Sequence, residues 1–280
     1  MAAAPCHNDA TPFGAPMTQP VTPSPAATLV LLRDRPTGGL ETLLIQRHTK
    51  SKFAAGDYVF AGGKVEADDV PPDAERFCVG LTAEVAAARL GGPEPRTALG
   101  YWIGAIREAF EEVGILLAYD ASGAPVRLDA SNHARFAGYR ADCQASNAAF
   151  FDMLRAERLT LATDQLAYFA HWITPEEQPI RFDTRFFAAP APAGQSPEAD
   201  GHEIVNLRWL SPAEALEALE RKEISLRTPT LKNLELVGAY ATVADAVAEL
   251  GRREVPAIRP RILEVNGTPV PVLPGDPRWY

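Results

Sequence analysis

The stretch LGYWIGAIREAFEEVGILL, residues 99–117, carries the pattern that says most about the fold. Its apolar side chains repeat at the spacing of one helical face and are Leu99, Trp102, Ile103, Ile106, Phe110, Val113 and Leu117. Glu108, Glu111 and Glu112 are spaced i, i+3 and i+4, which places them together on a second face nearly opposite the first. The stretch therefore predicts an amphipathic helix with one buried face and three clustered carboxylates.

The three carboxylates allow two interpretations. Like charges within one turn repel each other, at about 0.2–0.5 kcal/mol for each close pair. The cluster is stable either in solvent, which screens it, or around a shared cation, and Mg²⁺ and Mn²⁺ prefer carboxylate oxygens. On spacing alone both remain open, because glutamate forms helices well and acidic outer faces are common. Arg107 is equally open to a simple surface ion pair with Glu111.

Residues upstream of the helix complete a motif. Phe60-Ala61-Gly62-Gly63-Lys64-Val65-Glu66 comes first, Asp69 lies six positions after Gly63, and the run Arg107–Ile115 follows. Together they resemble the Nudix box, which runs glycine, five residues, glutamate, seven residues, then Arg-Glu-apolar-x-Glu-Glu-x-Gly-apolar. The second half fits almost residue for residue, with the small Ala109 at its first apolar position. The chain therefore resembles the Nudix hydrolases.

Two departures from the box distinguish this sequence. Asp69 stands where the motif has glutamate, and 37 residues separate it from Arg107 where the motif has seven. About 30 residues, within the range 70–106, are therefore inserted in the box. Because the insertion changes the spacing, Asp68 or Glu66 could take the place of Asp69.

The insertion and several later segments resemble the acyl-coenzyme A diphosphatase branch of the family, which also carries an insert inside its box. The further segments are Ile180–Phe187, Trp209–Ala215, Lys222–Ile224 and Leu273–Asp276. The resemblance implies metal-dependent hydrolysis of a pyrophosphate bond in a substrate that links a nucleoside diphosphate to another group, with coenzyme A or acyl-coenzyme A expected. ADP-ribose, a nucleotide sugar or a dinucleotide is the alternative substrate. A non-catalytic nucleotide-sensing module is the alternative of another class, which the intact glutamates disfavour.

The resemblance also implies roles for individual residues. The expected ligands of Mg²⁺ or Mn²⁺ are Glu108, Glu111, Glu112 and Asp69. Expected catalytic residues are Arg107, which would orient the glutamates, and a general base drawn from Glu111, Glu112 and Glu203. Expected substrate-binding residues are Arg47, Gly62, Gly63 and Arg185, and the stretch 182–187 and the helical insert are expected to wall the pocket. Solvated surface roles for Arg47 and Glu203 remain open, as does a purely structural role in the core or on the surface for the stretch 182–187 and the insert.

The fold is predicted to be an α/β/α sandwich with a mixed sheet, a helical insertion in the box and extra C-terminal helices. Residues 1–26 are rich in proline and alanine and are predicted to be disordered, and residues 27–276 to form the Nudix domain. Strands are expected at 27–33, 40–47, 57–61, 165–173, 184–189 and 204–210. Helices are expected at 72–90, 99–117, 131–141, 147–159, from Ser211, and at 230–240 and 242–250, with a final hairpin over 261–273.

Charge and composition limit the partners. The chain has 36 acidic and 27 basic residues and a net charge of −9, which argues against nucleic-acid binding. A small nucleotide-type substrate remains compatible, because a metal ion can supply positive charge locally. No apolar run approaches the roughly 18 residues of a membrane span, and three widely spaced cysteines fit a reducing compartment. We therefore expect a cytoplasmic protein without a membrane partner; a homodimer stays open.

Overall fold

The computed structural model describes residues 20–51, 54–265 and 267–279. Within these ranges, the strands in chain order are β1 (Ser24–Asp34), β2 (Leu40–Arg47), β3 (Tyr58–Val59), β4 (Ala61–Lys64), β5 (Ala118–Tyr119), β6 (Thr160–Leu161), β7 (Ala167–Ile173), β8 (Phe182–Pro190), β9 (Ile204–Leu210), β10 (Ala257–Ile258), β11 (Arg261–Val265) and β12 (Thr268–Val272). The α-helices are α1 (Ala83–Arg89), α2 (Pro95–Val113), α3 (His133–Ala145), α4 (Ala148–Glu157), α5 (Pro212–Glu220), α6 (Thr228–Val237) and α7 (Val243–Leu250). Short 3₁₀ turns occupy Ala67–Asp69, Ala74–Phe77, Thr163–Gln165 and Pro277–Trp279.

Eight strands form one mixed sheet. Its path runs β10-β7-β8-β1-β2-β3, while β4 pairs with β1 and β9 pairs with β2. The β1–β8 and β7–β10 pairs are parallel, and the other pairs are antiparallel. β5 with β6 and β11 with β12 form two small antiparallel ladders. Since β1 pairs with β8 on one side and with both β2 and β4 on the other, it lies at the centre of the sheet.

Side chains alternate across β1 and enter two separate apolar cores. Leu29 and Leu31 belong to the core beneath α1–α4, and Val30 and Leu32 to the core beneath α5–α7. Helices therefore cover both faces of the sheet, which confirms the predicted mixed α/β sandwich. In the described ranges no helix has both the length and the apolarity needed to cross a bilayer.

The helix with the glutamates is α2, and it begins and ends four residues earlier than expected. Pro95 takes its first position, where the missing N–H costs nothing, and the Glu94 side chain accepts from the N–H groups of Arg96 and Thr97. The helix ends because Gly114 adopts a left-handed conformation with φ of 68°. Of its 19 residues, 14 are buried, so α2 is a central element of the first core.

Three predicted boundaries were wrong. The helix expected over 72–90 is a 3₁₀ turn followed by α1, because Gly80 has a φ of +66° and the Thr82 side chain caps α1 at the N–H of Val85. The single strand expected over 57–61 is divided into β3, which pairs with β2, and β4, which pairs with β1. Residues 24–26, expected in the disordered segment, are in β1. Residues 1–19 of that segment lie outside the described residues.

Candidate active site

The pairing of β4 with β1 places Gly62 and Gly63 against α2. A cavity of about 690 Å³ opens there. The predicted site residues that line it are Arg47, Gly62, Gly63, Glu108, Glu112 and Glu203. Residues from β2, β4, α2 and the loop before β9, far apart in the sequence, thus meet at one end of one cavity.

Arg107 organises the acidic side of this end. Its buried guanidinium donates from Nε to Asp69 Oδ1 at 2.6 Å and from Nη1 to Glu111 Oε2 at 3.1 Å. Nη2 lies 3.0 Å from Glu108 Oε1 and also donates to the Lys64 carbonyl at 2.8 Å. One side chain thereby fixes three carboxylates and the end of β4 in a single charge-assisted arrangement.

Asp69, expected to be a metal ligand, is paired with Arg107 in the structure. Asp69 is 1% exposed, and its two oxygens accept from Nε and Nη2 of Arg107. Its Oδ2 also accepts from the backbone N–H of Glu66 at 2.8 Å. Asp69 is not among the cavity-lining residues, and neither alternative, Asp68 or Glu66, lines the cavity. Because its acceptor sites are turned to Arg107, Asp69 positions that arginine instead of facing a ligand.

Glu108 and Glu112 are the two helix carboxylates that reach the cavity. Glu112 Oε2 accepts from the N–H of Gly62 at 2.8 Å, and its Oε1 lies 3.6 Å from Arg47 Nη1. Burial raises the pKa of Glu108 to about 7, and burial together with the neighbouring Glu108 carboxylate raises the pKa of Glu112 well above its usual range. Both carboxyl groups at the cavity wall are therefore harder to ionise than a solvent-exposed glutamate.

Both glycines lie in close contact with their neighbours. A Cβ on Gly63 would lie 2.5–2.6 Å from the carboxylate atoms of Glu108. A Cβ on Gly62 would meet the backbone of β1, at the Ala27 carbonyl and 2.7 Å from Thr28 Cα. The lack of a side chain at Gly62 allows β4 to approach the backbone of β1 this closely, and the lack of one at Gly63 leaves room for the Glu108 carboxylate.

Glu111 is directed away from the cavity. Its Oε2 accepts from Arg107, and its buried Oε1 has no hydrogen-bond partner among the described residues. In the described part of the chain, no group of three His, Cys, Asp or Glu side chains is arranged to hold a metal. The four expected ligands are therefore divided: Glu108 and Glu112 face the cavity, whereas Glu111 and Asp69 face Arg107.

Arg47 connects the helix carboxylates to the loop before β9. Its Nη2 donates to Glu203 Oε1, while Nη1 faces Glu112. The backbone of Glu203 is held by the Asp200 side chain, whose Oδ1 accepts from the N–H of Glu203 at 2.9 Å, and by the N–H of His48. The Glu203 side chain remains half exposed. The Arg47 guanidinium thus lies between the carboxylates of Glu112 and Glu203 at the cavity mouth.

Arg185, expected to bind substrate, does not line the cavity. Along β8, side chains alternate, so that Phe182, Thr184 and Phe186 line the cavity and Arg185 lies on the opposite face. Arg185 is buried there and donates to the Leu90 carbonyl at 3.1 Å. Its other partners are the Tyr168 hydroxyl and His171 Nδ1, each at 2.9 Å. It anchors the end of α1 to the sheet.

The insert, for which a pocket wall and a structural role were both open, lies away from the cavity. No residue of the range 70–106 is among the described residues that line the cavity. The apolar residues of this range pack into the core beneath α1–α4. Cavity residues that the sequence did not reveal include Lys64, Trp172, Ile262 and Pro271. Lys64 could have been found from its place directly after Gly63, but the others come from segments that only the tertiary structure brings near the box.

Comparison with known proteins shows the family to which the chain belongs. Residues 82–237 match a family model described as the NUDT19 Nudix domain. The chain belongs to this family of Nudix hydrolases. Membership makes it a pyrophosphatase enzyme, as expected from the box, and residues 82–237 include α2 with its arginine and glutamates.

Relatives of the family extend the likeness to most of the chain. It is 26% identical over 272 residues to acyl-coenzyme A diphosphatase NUDT19 of Xenopus laevis, covering 86% of this chain and 71% of the relative. It is 29% identical to the Homo sapiens protein of the same name, covering 87% and 73%. A NUDIX hydrolase crystal structure from Alicyclobacillus acidocaldarius superimposes with a TM-score of 0.66 at 26% identity, covering 81% of this chain and 96% of that one. The Nudix fold is thereby confirmed.

Proposed function

We propose that this Nudix hydrolase cleaves the pyrophosphate bond of coenzyme A or its acyl thioesters in a metal-dependent reaction. The observation that carries the proposal is the composition of the single 690 Å³ cavity described above. One end has Glu108, Glu112 and Arg47, and the other is lined by apolar residues such as Trp172 and Phe182. Acyl-coenzyme A has the same division, with a diphosphate in its middle and an apolar group at one end.

The donor chemistry of the charged end fits a hard divalent cation. Glu108 and Glu112 would hold it: both carboxylates line the cavity, and burial, the main cause of their raised pKa values, leaves their charged forms in need of a counter-ion. Glu111 lies one turn after Glu108 on α2, and its Oε1 has no hydrogen-bond partner among the described residues. It could therefore serve as a third ligand of the cation. When bound, Mg²⁺ or Mn²⁺ would offset the charge of the phosphate oxygens and make water a better nucleophile.

The chain's own groups would then position the reactants. Gly62 holds Glu112 through its N–H, and Arg107 holds Glu108 from behind, so neither carboxylate has to reorganise when substrate arrives. Arg47 lies where it can donate to a phosphate oxygen. Glu203, half exposed at the mouth, is our choice of general base because its carboxylate can accept a proton from the attacking water.

The first test is hydrolysis by the full chain with Mg²⁺ or Mn²⁺. Coenzyme A, octanoyl-coenzyme A, ADP-ribose, NADH and a diadenosine polyphosphate are compared, and products are separated by chromatography. Release of adenosine 3′,5′-bisphosphate from coenzyme A or its ester, abolished in Glu112→Gln, is the expected result. Glu217→Gln is the matched control, because Glu217 lies exposed on α5. Cleavage of ADP-ribose alone would refute the substrate, and no turnover would refute catalysis.

A second measurement addresses the roles of the glutamates. Titration calorimetry with Mn²⁺ is expected to show binding that is weakened by Glu108→Gln and by Glu112→Gln but unchanged by Glu203→Gln. Glu203→Gln is expected to reduce kcat while leaving Mn²⁺ affinity intact, since a base and a ligand differ in this respect. Full activity of Glu203→Gln would return the role of base to Glu111 or Glu112.

A further inference from the structure

Beyond the glutamates, the cavity floor crosses four strands in register. Lys64 on β4 pairs with Ala26 on β1, which pairs with Thr184 on β8. Thr184 in turn pairs with Trp172 on β7. All four residues line the cavity. Neighbouring strands lie about 4.8 Å apart, so the three steps from β4 to β7 place Trp172 about 14 Å from the strand that carries Gly62 and Gly63. The cavity is therefore long enough to have two distinct ends.

The C-terminal hairpin forms the wall of the far end. Ile262 on β11 and Pro271 on β12 are register partners, and both line the cavity together with Pro260 and Pro269. The described residues that β7, β8 and the hairpin contribute to the lining carry no charge. Three of these four lining residues, Pro260 before β11 and Pro269 and Pro271 on β12, are prolines, which have no backbone N–H to offer a polar ligand. This end therefore suits an apolar group, because a polar one would lose its hydrogen bonds to water there.

We propose that the far end of the cavity binds the acyl group of a thioester substrate and that the hairpin selects its length. The inference rests on the proposed function, because a substrate cleaved at Glu108 and Glu112 extends from there along the floor. The floor has room for a chain, since Ala26 and Thr184 are small. The hairpin lies outside residues 82–237, so this selection belongs to a segment that the family model does not include.

Acyl-pantetheines test the far end without any nucleotide or diphosphate. The full chain is titrated calorimetrically with S-acetylpantetheine and S-octanoylpantetheine. We expect the octanoyl compound to bind at least tenfold more tightly. Ile262→Asp is expected to remove that advantage, because it places a carboxylate beside the acyl chain. Val265→Asp is the matched control: it puts the same charge on the same strand, at an exposed position.

A second variant protects the test against misfolding of Ile262→Asp. Thr184→Leu narrows the floor from β8, and we expect it to weaken octanoyl binding at least tenfold as well. Circular dichroism confirms that each variant is folded. Equal affinities for the two compounds in the wild-type chain, or equal effects of Ile262→Asp and Val265→Asp, would overturn the proposal. So would a loss of ADP-ribose affinity in Ile262→Asp as large as the loss for octanoylpantetheine, because the far end would then hold the nucleoside.

Hydrolysis separates this proposal from the one on which it rests. If the wild-type chain binds octanoylpantetheine as expected but cleaves no coenzyme A ester, the proposed function fails and the acyl site stands. If coenzyme A esters are cleaved with KM values that neither chain length nor Ile262→Asp changes, the function stands and the acyl site fails. If both hold, Ile262→Asp raises KM for octanoyl-coenzyme A at least tenfold and for acetyl-coenzyme A less than twofold.

Discussion

The guanidinium group of Arg107 forms hydrogen bonds or ion pairs with four groups at once: the carboxylates of Asp69, Glu108 and Glu111 and the Lys64 carbonyl. A lysine could not replace it, because an ammonium group is a point charge without a planar fork of donors. Arg107→Ala leaves Asp69 buried without a counter-ion, and we expect a loss of about 3–5 kcal/mol in the free energy of unfolding, measured by urea denaturation. The double variant with Asp69→Ala should recover part of that loss. A double variant as unstable as the sum of the two single variants would contradict the pairing.

The two neighbouring glycines allow a sharper comparison. The methyl group of Gly62→Ala would clash with the backbone of β1, and a paired strand can shift only at a large cost in free energy. We therefore expect a loss of about 1–3 kcal/mol in the free energy of unfolding. The methyl group of Gly63→Ala would contact only the carboxylate end of the flexible Glu108 side chain. We expect it to change stability by less than about 1 kcal/mol. By displacing a carboxylate, it should weaken Mn²⁺ binding about tenfold.

Thermal unfolding and Mn²⁺ titration of both alanine variants provide the measurement. Each variant is the other's control, because they differ only in which neighbour the methyl group meets. Equal stability losses, or an unchanged Mn²⁺ affinity in Gly63→Ala, would show that Glu108 is not held against Gly63 as the structure has it.

At the scale of elements, the last turn of α2 is fastened to the loop before β9. Arg140 on α3 donates from Nε to the Glu111 carbonyl and from Nη2 to the Glu198 carbonyl, each at 2.9 Å. Gln144 donates to the same Glu111 carbonyl, and the N–H of Glu198 donates to the Val113 carbonyl. These bonds satisfy carbonyls that the helix end would leave unpaired. They also tie the helix with the glutamates to the loop that presents Glu203.

If that tie positions Glu203, Arg140→Ala should lower kcat about tenfold while KM and the circular dichroism spectrum change little. Arg140→Lys should restore part of kcat, since one of the two bonds can be remade. Arg135→Ala is the matched control on the same helix, because Arg135 is exposed and pairs with Glu157. The same kcat in Arg140→Ala and Arg135→Ala would show that the loop is placed by other contacts.

Elements with a strong local signal were predictable from the sequence. The periodicity of α2 and the turn chemistry after Val265 predicted a helix and a hairpin that the structure contains. The position of Arg185 away from the cavity was not predictable, because alternation fixes which residues share a face but not which face meets the cavity. The position of the insert was not predictable either, because its apolar residues, such as Leu81 and Leu90, belong to a core that no local pattern reveals. The pairing of Asp69 with Arg107 was not predictable because a motif position does not say which partner a carboxylate faces.

At the scale of the whole molecule, the site lies where the two cores approach each other across the sheet. Glu112 belongs to a helix of the first core, whereas Trp172 and Phe186, which line the same cavity, belong to the second. A ligand that binds this cavity only in the folded state stabilises both cores together. Stability measurements therefore report on the site without any assay of turnover.

Replacing Glu112 by glutamine should change stability in opposite directions with and without metal. Without metal, Glu112 is a buried carboxylate beside Glu108, and burial disfavours its charged form. Glu112→Gln has no carboxyl group to ionise and can still accept from the Gly62 N–H. At a pH high enough to ionise Glu112 in the wild-type chain, the metal-free variant should therefore unfold at a higher temperature than the wild-type chain. In Mn²⁺ at one hundred times its Kd, the wild-type chain should gain about 2.7 kcal/mol and the variant far less. Calorimetric scans in EDTA and in Mn²⁺, with Glu217→Gln as the control, make the comparison. A variant less stable than the wild-type chain in EDTA would mean that Arg47 and Gly62 already compensate this carboxylate, and the charge-based case for a cation at Glu108 and Glu112 would be lost.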